Sequence, residues 1–146
     1  MSCNSRTIVE RWFEEVWNLR RTETIEELLT SESVCYTDNG PIRGPDEFKQ
    51  RQHTPFLLAF PDLRVDVDAI ITQGDQAVVR WTAIGTHSGD ALGVPATHRA
   101  VRFRGITWLH VDDGKLAYGW QSSNIAEVLR GLGCSAPKPD VPISAR

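Results

Sequence analysis

From residue 5 to 19, Ile8, Val9, Trp12, Phe13 and Val16 recur at the spacing of one helical face, with Glu10, Arg11, Glu14 and Glu15 on the other. This pattern predicts an amphipathic helix. A second, short helix is predicted from Thr22, turning Ile25, Leu28 and Leu29 inward before the brief extended segment SVCYTD at 33–38. The stretch DNGPIRGP at 38–45 reads as turns. A third helix begins around Asp46 and carries Phe48, Phe56 and Ala59 at helical spacing. Pro55 has no N–H and is expected to bend or break it, and Phe60–Pro61 closes it.

Beyond Pro61 the period changes. Val65, Val67, Ala69 and Ile71 alternate with Arg64, Asp66, Asp68 and Ile70, which predicts a half-buried strand. Extended runs follow at 76–86, 99–111 and 115–122, the first pair of strands joined through QGD and the last pair through DDG as hairpins. The Gly- and Pro-bearing connection at 87–99 is expected at an open end of the sheet. A last helix at 125–132 stops at Gly133, and the tail at 134–146 contains three prolines. Helices first and strands afterwards predict an α+β domain over 1–133, a cone in which a curved antiparallel sheet wraps around the N-terminal helices. An apolar cavity at its mouth is where a small ligand would bind.

Composition narrows the functional classes. A chain of 146 residues with 40% hydrophobic and 24% charged residues suits one globular domain. The net charge of −3 gives no electrostatic footprint for nucleic acid, although Arg99, Arg102 and Arg104 form a local basic patch. Cys3, Cys35 and Cys134 are odd in number and widely separated, which fits a reducing compartment and no disulfide framework. No apolar run reaches the length of a signal or membrane segment, so a cytoplasmic protein without membrane attachment is expected. The four histidines lack metal-ligand spacing, and no metal site is expected.

Four phrases occur together in order: AFPDL at 59–63, VVRWTAIGTHSGDALGVPAT at 78–97, VDDGKL at 111–116 and LRGLG at 129–133. This ordered set resembles the SnoaL-like polyketide cyclases of the nuclear-transport-factor-2-like superfamily. The resemblance implies a cone-shaped, cystatin-like α+β barrel, a homodimer or higher homo-oligomer, and a pocket for a hydrophobic small molecule. It also implies intramolecular aldol chemistry with no metal or organic cofactor. In such cyclases an aspartate on the last strand, assisted by a histidine on its neighbour, serves as acid and base. Overlaying the DDGKL turn puts Gln121 at the aspartate position and Thr107 at the histidine position.

Neither replacement titrates near neutral pH, so neither is a general base. Gln121 and Thr107 are read as hydrogen-bonding a ligand oxygen, with Gln121 satisfying a buried backbone group as the alternative. Any titrating group must come from elsewhere. Tyr36 and Asp38 alternate in the short extended segment and so share a face, and Asp38 in an apolar mouth would have a raised pKa; an Asx-type turn is the alternative for Asp38. His53 lies near the Phe48 and Phe56 stripe and could move a proton, or merely pack beside Pro55. Arg80 is the guanidinium expected to approach the interior, with an ion pair to Asp66 or Asp68 as the alternative. Trp81, Trp108 and Trp120 are candidates to stack a planar ligand, at least two of them instead serving the core or a subunit contact. Asn124 reads as a helix N-cap. Two functions remain open: a cofactor-free enzyme, or a non-catalytic binding or carrier domain that kept the cone.

Overall fold

The apolar stripe of the first helix is buried almost completely: Val9 and Val16 have no exposed surface, and Trp12, Phe13 and Trp17 are close to it. The computed structural model describes residues 5–133; Cys3, Cys134 and the tail at 134–146 lie outside them. Helix α1 (Ser5–Arg11) continues as a π-helical segment, Trp12–Asn18, and is followed by α2 (Thr22–Leu28). Strands β1 (Val34–Thr37) and β2 (Gly40–Arg43) form a hairpin whose loop is Asp38–Asn39. The sequence reading took β2 for turns because Gly40 and Pro41 punctuate it. Its place at the sheet edge explains how Pro41 is tolerated, since an edge position can dispense with an N–H donor.

The third helix runs on through Pro55. It comprises α3 (Gly44–Phe48), a π-helical segment Lys49–His53, and α4 (Thr54–Ala59). The turn before the proline widens so that the Thr54 N–H donates to the Lys49 carbonyl, and the path is not broken. Strands β3 (Arg64–Gln73), β4 (Gln76–Thr86), β5 (Ala100–Asp112) and β6 (Lys115–Ser123) lead to α5 (Ile125–Gly133).

The six strands form one sheet in the order β2-β1-β6-β5-β4-β3. All pairs are antiparallel except β1 with β6, which is parallel. The sheet is therefore mixed and open, a curved wall around the helices and not a closed barrel. Across its centre the register aligns inner positions in rows: Val79 with Thr107 and Gln121, and Trp81 with Gly105 and Ser123. The alternate rows face outward, where Val78, Trp108 and Trp120 align and Trp120 meets Tyr36.

Two expectations of parity need correction. In β3 the alternation is interrupted by a bulge between Val67 and Ala69. Val65 is buried before it, whereas Ile70 packs on the core after it and Ile71 is 70% exposed. The extra residue switches the inward face, as a bulge must. In β4, Ala77, Val79, Trp81 and Ala83 take the inside, so Arg80 is exposed on the outer face opposite Ala69 and Ile106. Arg80 makes no ion pair with Asp66 or Asp68; those carboxylates accept from Arg64 and the Thr82 hydroxyl.

Candidate functional site

The helical stripe and the inner sheet rows enclose three adjoining hollows. In them about 30, 50 and 90 Å³ can take the centre of a water molecule. The space is thus narrow, enough for a few waters. Phe13, Trp17, Phe56, Trp81 and Phe103 wall the first hollow, together with Gln52, Gln121 and Ser123. The second extends past Cys35, Phe48 and Thr107. The third opens at the mouth between Asp38, Arg51 and Ile125. Gln52 and Gln121 line all three.

Gln121 is held by a relay that begins in β4. The Trp81 Nε1–H donates to Thr107 Oγ1 at 2.9 Å, and the Thr107 hydroxyl donates to Gln121 Oε1 at 3.2 Å. Trp81 lies one row from Thr107, so its indole must cross the β5 backbone diagonally to reach it. Gly105 leaves the room: a Cβ there would stand 2.3 Å from Trp81 Cζ2. Thr107 is 2% exposed and its single proton is committed to Gln121, so it acts on a ligand only through that amide. The Gln121 Nε2 has no partner among the described residues.

Gln52 is the residue that sequence reasoning missed. It is 8% exposed, and its amide has no hydrogen-bond partner among the described residues. The signal was present, because position 52 lies midway between Phe48 and Phe56 on the same helical stripe. A polar residue inside an apolar stripe marks either a buried hydrogen bond or a lined cavity.

The remaining candidates are dispersed. Asp38 stands at the rim, exposed, in the hairpin loop. Its carboxylate accepts from the Ser122 hydroxyl at 3.0 Å and the Ser123 N–H at 3.1 Å, tying the β1–β2 loop to the end of β6. Ile42, Phe56 and Ile125 line the same hollow. The Tyr36 ring stacks on Trp120 outside the cone at 5.5 Å. Trp108 lies beside Trp120 at 5.4 Å, and Tyr118 extends the outer cluster. Only Trp81 of the three candidate tryptophans reaches the interior.

His53 is buried in the helical layer and lines none of the hollows. Its Nε2 lies 2.8 Å from the Val16 carbonyl, and its ring packs against Trp17 and Phe48. Burial lowers its pKa below the ordinary 6.5. A neutral ring donates its Nε2–H to that carbonyl. Burial also pushes the free Cys35 thiol up to about 11, which keeps it protonated. Asn124 caps no helix with its side chain; its Oδ1 accepts from the Arg104 N–H at 2.9 Å and pins β5 to the start of α5. Among the described residues no group of three or more His, Cys, Asp or Glu could hold a metal ion, and no helix is long and apolar enough to cross a membrane.

Comparison with known proteins gives a consistent picture. A family profile described as SnoaL-like polyketide cyclase matches residues 7–132. Among solved structures, the chain resembles a putative SnoaL-like polyketide cyclase from Jannaschia sp. CCS1 at 22% identity and a TM-score of 0.81, covering 91% of this chain and 93% of that one. AclR, a putative hydroxylase from Streptomyces galilaeus, is 27% identical with a TM-score of 0.78 over 95% and 85% of the two chains. IdmH, a putative polyketide cyclase from Streptomyces antibioticus, is 25% identical with a TM-score of 0.76 over 90% and 99%. A comparison with curated proteins finds no match.

Two outcomes test this geometry. Gly105→Ala drives a methyl into Trp81 and the Ser122 carbonyl and is expected to cost about 1–3 kcal/mol, read as a lower urea midpoint. A midpoint equal to wild type would show that the crossing is not tight. For His53, the depressed pKa means that the unfolded chain binds the extra proton, so its contribution is complete above 6.5 and is lost as pH falls through the folded value. His53→Leu should flatten the decline of stability below pH 6.5, measured by urea titration at successive pH values.

Proposed function

The chain belongs to the SnoaL-like polyketide cyclase family, and on that premise we propose that it binds a hydrophobic, oxygenated small molecule in the cone and converts it by cofactor-free proton transfer, as a cyclase, isomerase or hydratase. The observation that carries this reading is an aromatic chamber into which two amides, Gln52 and Gln121, bring hydrogen-bonding groups without partners among the described residues. Apolar walls with a few convergent polar groups are the usual make-up of a small-molecule site. Gln121 hydrogen-bonds the ligand oxygen, and Thr107 serves by holding Gln121. Tyr36, Arg80 and Trp120 on the outer face and His53 in the core have no part in this set.

Asp38 is the group assigned to the proton. Ring closure of a polycarbonyl chain needs one proton taken from a carbon between two carbonyls. The enolate attacks a further carbonyl of the same molecule, and the alkoxide so formed takes the proton back, so no oxidant or reductant is consumed. A carbon flanked by carbonyls is acidic enough for a carboxylate at the mouth to serve as base, with the amides steadying the enolate oxygen. This work is expected in the cytoplasm.

A second reading, a binding or carrier domain, is favoured by one observation: the first hollow has no titratable side chain in its wall. The outer face bears on subunit partners under either reading. Trp108 and Trp120 are each 45% exposed beside Tyr36 and Tyr118, an apolar patch suited to a homodimer.

Asp38→Asn is expected to lower kcat by about 100-fold or more on a polycarbonyl substrate that the wild type turns over, with little change in KM. Unchanged turnover would remove Asp38 from the mechanism, and tight binding by wild type without product would favour the carrier. Replacing Trp108 and Trp120 together by Glu should convert the homo-oligomer to monomer in sedimentation velocity; an unchanged mass would place the subunit contact elsewhere.

A further inference from the structure

We propose that the outer face of the sheet docks a second copy of this chain with the two β5 strands antiparallel, so that Arg102 of each copy meets Asp112 of the other. This rests on the subunit contact proposed for the outer face and deepens it to an orientation. Alternate side chains of β5 face outward, and that row runs Arg102, Arg104, Ile106, Trp108, His110, Asp112. One end is basic, the other acidic, and the middle apolar, with Ile106 51% and Trp108 45% exposed. The neighbouring strand repeats the grading. On β4, Arg80 aligns with Ile106 on the basic side, whereas Gln76 aligns with His110 and follows the exposed Asp75. Beyond Asp112 the turn adds Asp113, also exposed.

Arg80, Arg102 and Arg104 have no ion pair among the described residues, and neither have Asp75, Asp112 and Asp113. Nearby charges that could neutralise them are engaged elsewhere. At the basic end Asp66 accepts from Arg64 and Asp68 from Thr82, and at the acidic end Lys115 donates to the Glu27 carbonyl. A two-fold contact joins a face to itself. For aligned sheets its axis runs close to the direction of β5 or close to perpendicular to it. An axis along β5 lays Arg102 over Arg102 and Asp112 over Asp112, and like charges in contact are costly. An axis across β5 at Thr107 reverses the row. Arg102 then falls over Asp112, Ile106 over Trp108, and Arg104 over the stacked rings of His110 and Tyr118. Packed sheets lie about 10 Å apart, a gap that an arginine and an aspartate span from opposite sides.

The test is sedimentation velocity over a dilution series at low ionic strength for wild type, Arg102→Glu, Asp112→Arg and the chain carrying both changes. Native mass spectrometry of an equal mixture of the two single variants accompanies it. Wild type should dimerise, and each single variant should dimerise about tenfold or more weakly, because every dimer contains the altered pair twice. The doubly changed chain should regain the wild-type association, since its pair is only reversed. Mixing the single variants should yield the heterodimer in excess over both homodimers, each chain offering the charge that the other lacks. Neither recovery is open to a misfolded chain. A wild type that stays monomeric overturns the second copy and its orientation together, and leaves the small-molecule reading of the cone untouched. A dimer equally stable in all four chains, or weakened by single changes that neither combination nor mixing repairs, overturns the antiparallel docking alone.

Discussion

The alternation of side chains along β5 and β6 is the constraint on which the rest of this molecule depends. Because β5 pairs with both neighbours, its inward positions Gly105, Thr107 and Leu109 fall into rows that cross three strands. One set of rows must meet the helices and the other must not. The helices press Phe13, Trp17 and Phe56 against the inner rows, and the hollows are what remains between surfaces that cannot mesh completely. The outer rows keep their aromatic residues because nothing within the described chain covers them.

Within that frame, charge has been withdrawn from the interior. Position 121 on the last strand holds an amide, its neighbour on β5 holds a hydroxyl, and the proton of that hydroxyl points at the amide oxygen. A charge there would need a partner in a low-dielectric setting, whereas neutral groups can be satisfied one bond at a time. Gly105 is part of the same arrangement, since only a missing side chain lets the Trp81 indole cross the strand and start the relay. The carboxylate nearest the cone, Asp38, sits at the mouth in contact with water, where its charge costs little.

Much of this was legible in the chain. The helical stripe of residues 5–19, the strand alternation after Phe103 and the hairpin at Asp112–Gly114 follow from periodicity, because a half-buried element can satisfy only one period. The ordered phrases were sufficient to suggest the family. What misled was local reasoning about single residues. Arg80 was expected inside although Val79 and Trp81, its apolar neighbours, had the stronger claim to the interior. Tyr36 was read as a pocket residue, whereas its ring stacks on Trp120 outside the cone. Gln52 was passed over although it interrupts an apolar stripe.

The sequence by itself therefore determined the helices, the four long strands, the inward face of the first helix, the cone and the neutral character of positions 107 and 121, because these depend on spacing along one chain. Tertiary structure decided the rest: the bulge that reverses β3, the burial of His53 against Val16, the diagonal reach of Trp81, and the meeting of Gln52 with Gln121. Each of these joins residues far apart in sequence, and their relation is set by strand register and helix docking, which no local pattern encodes.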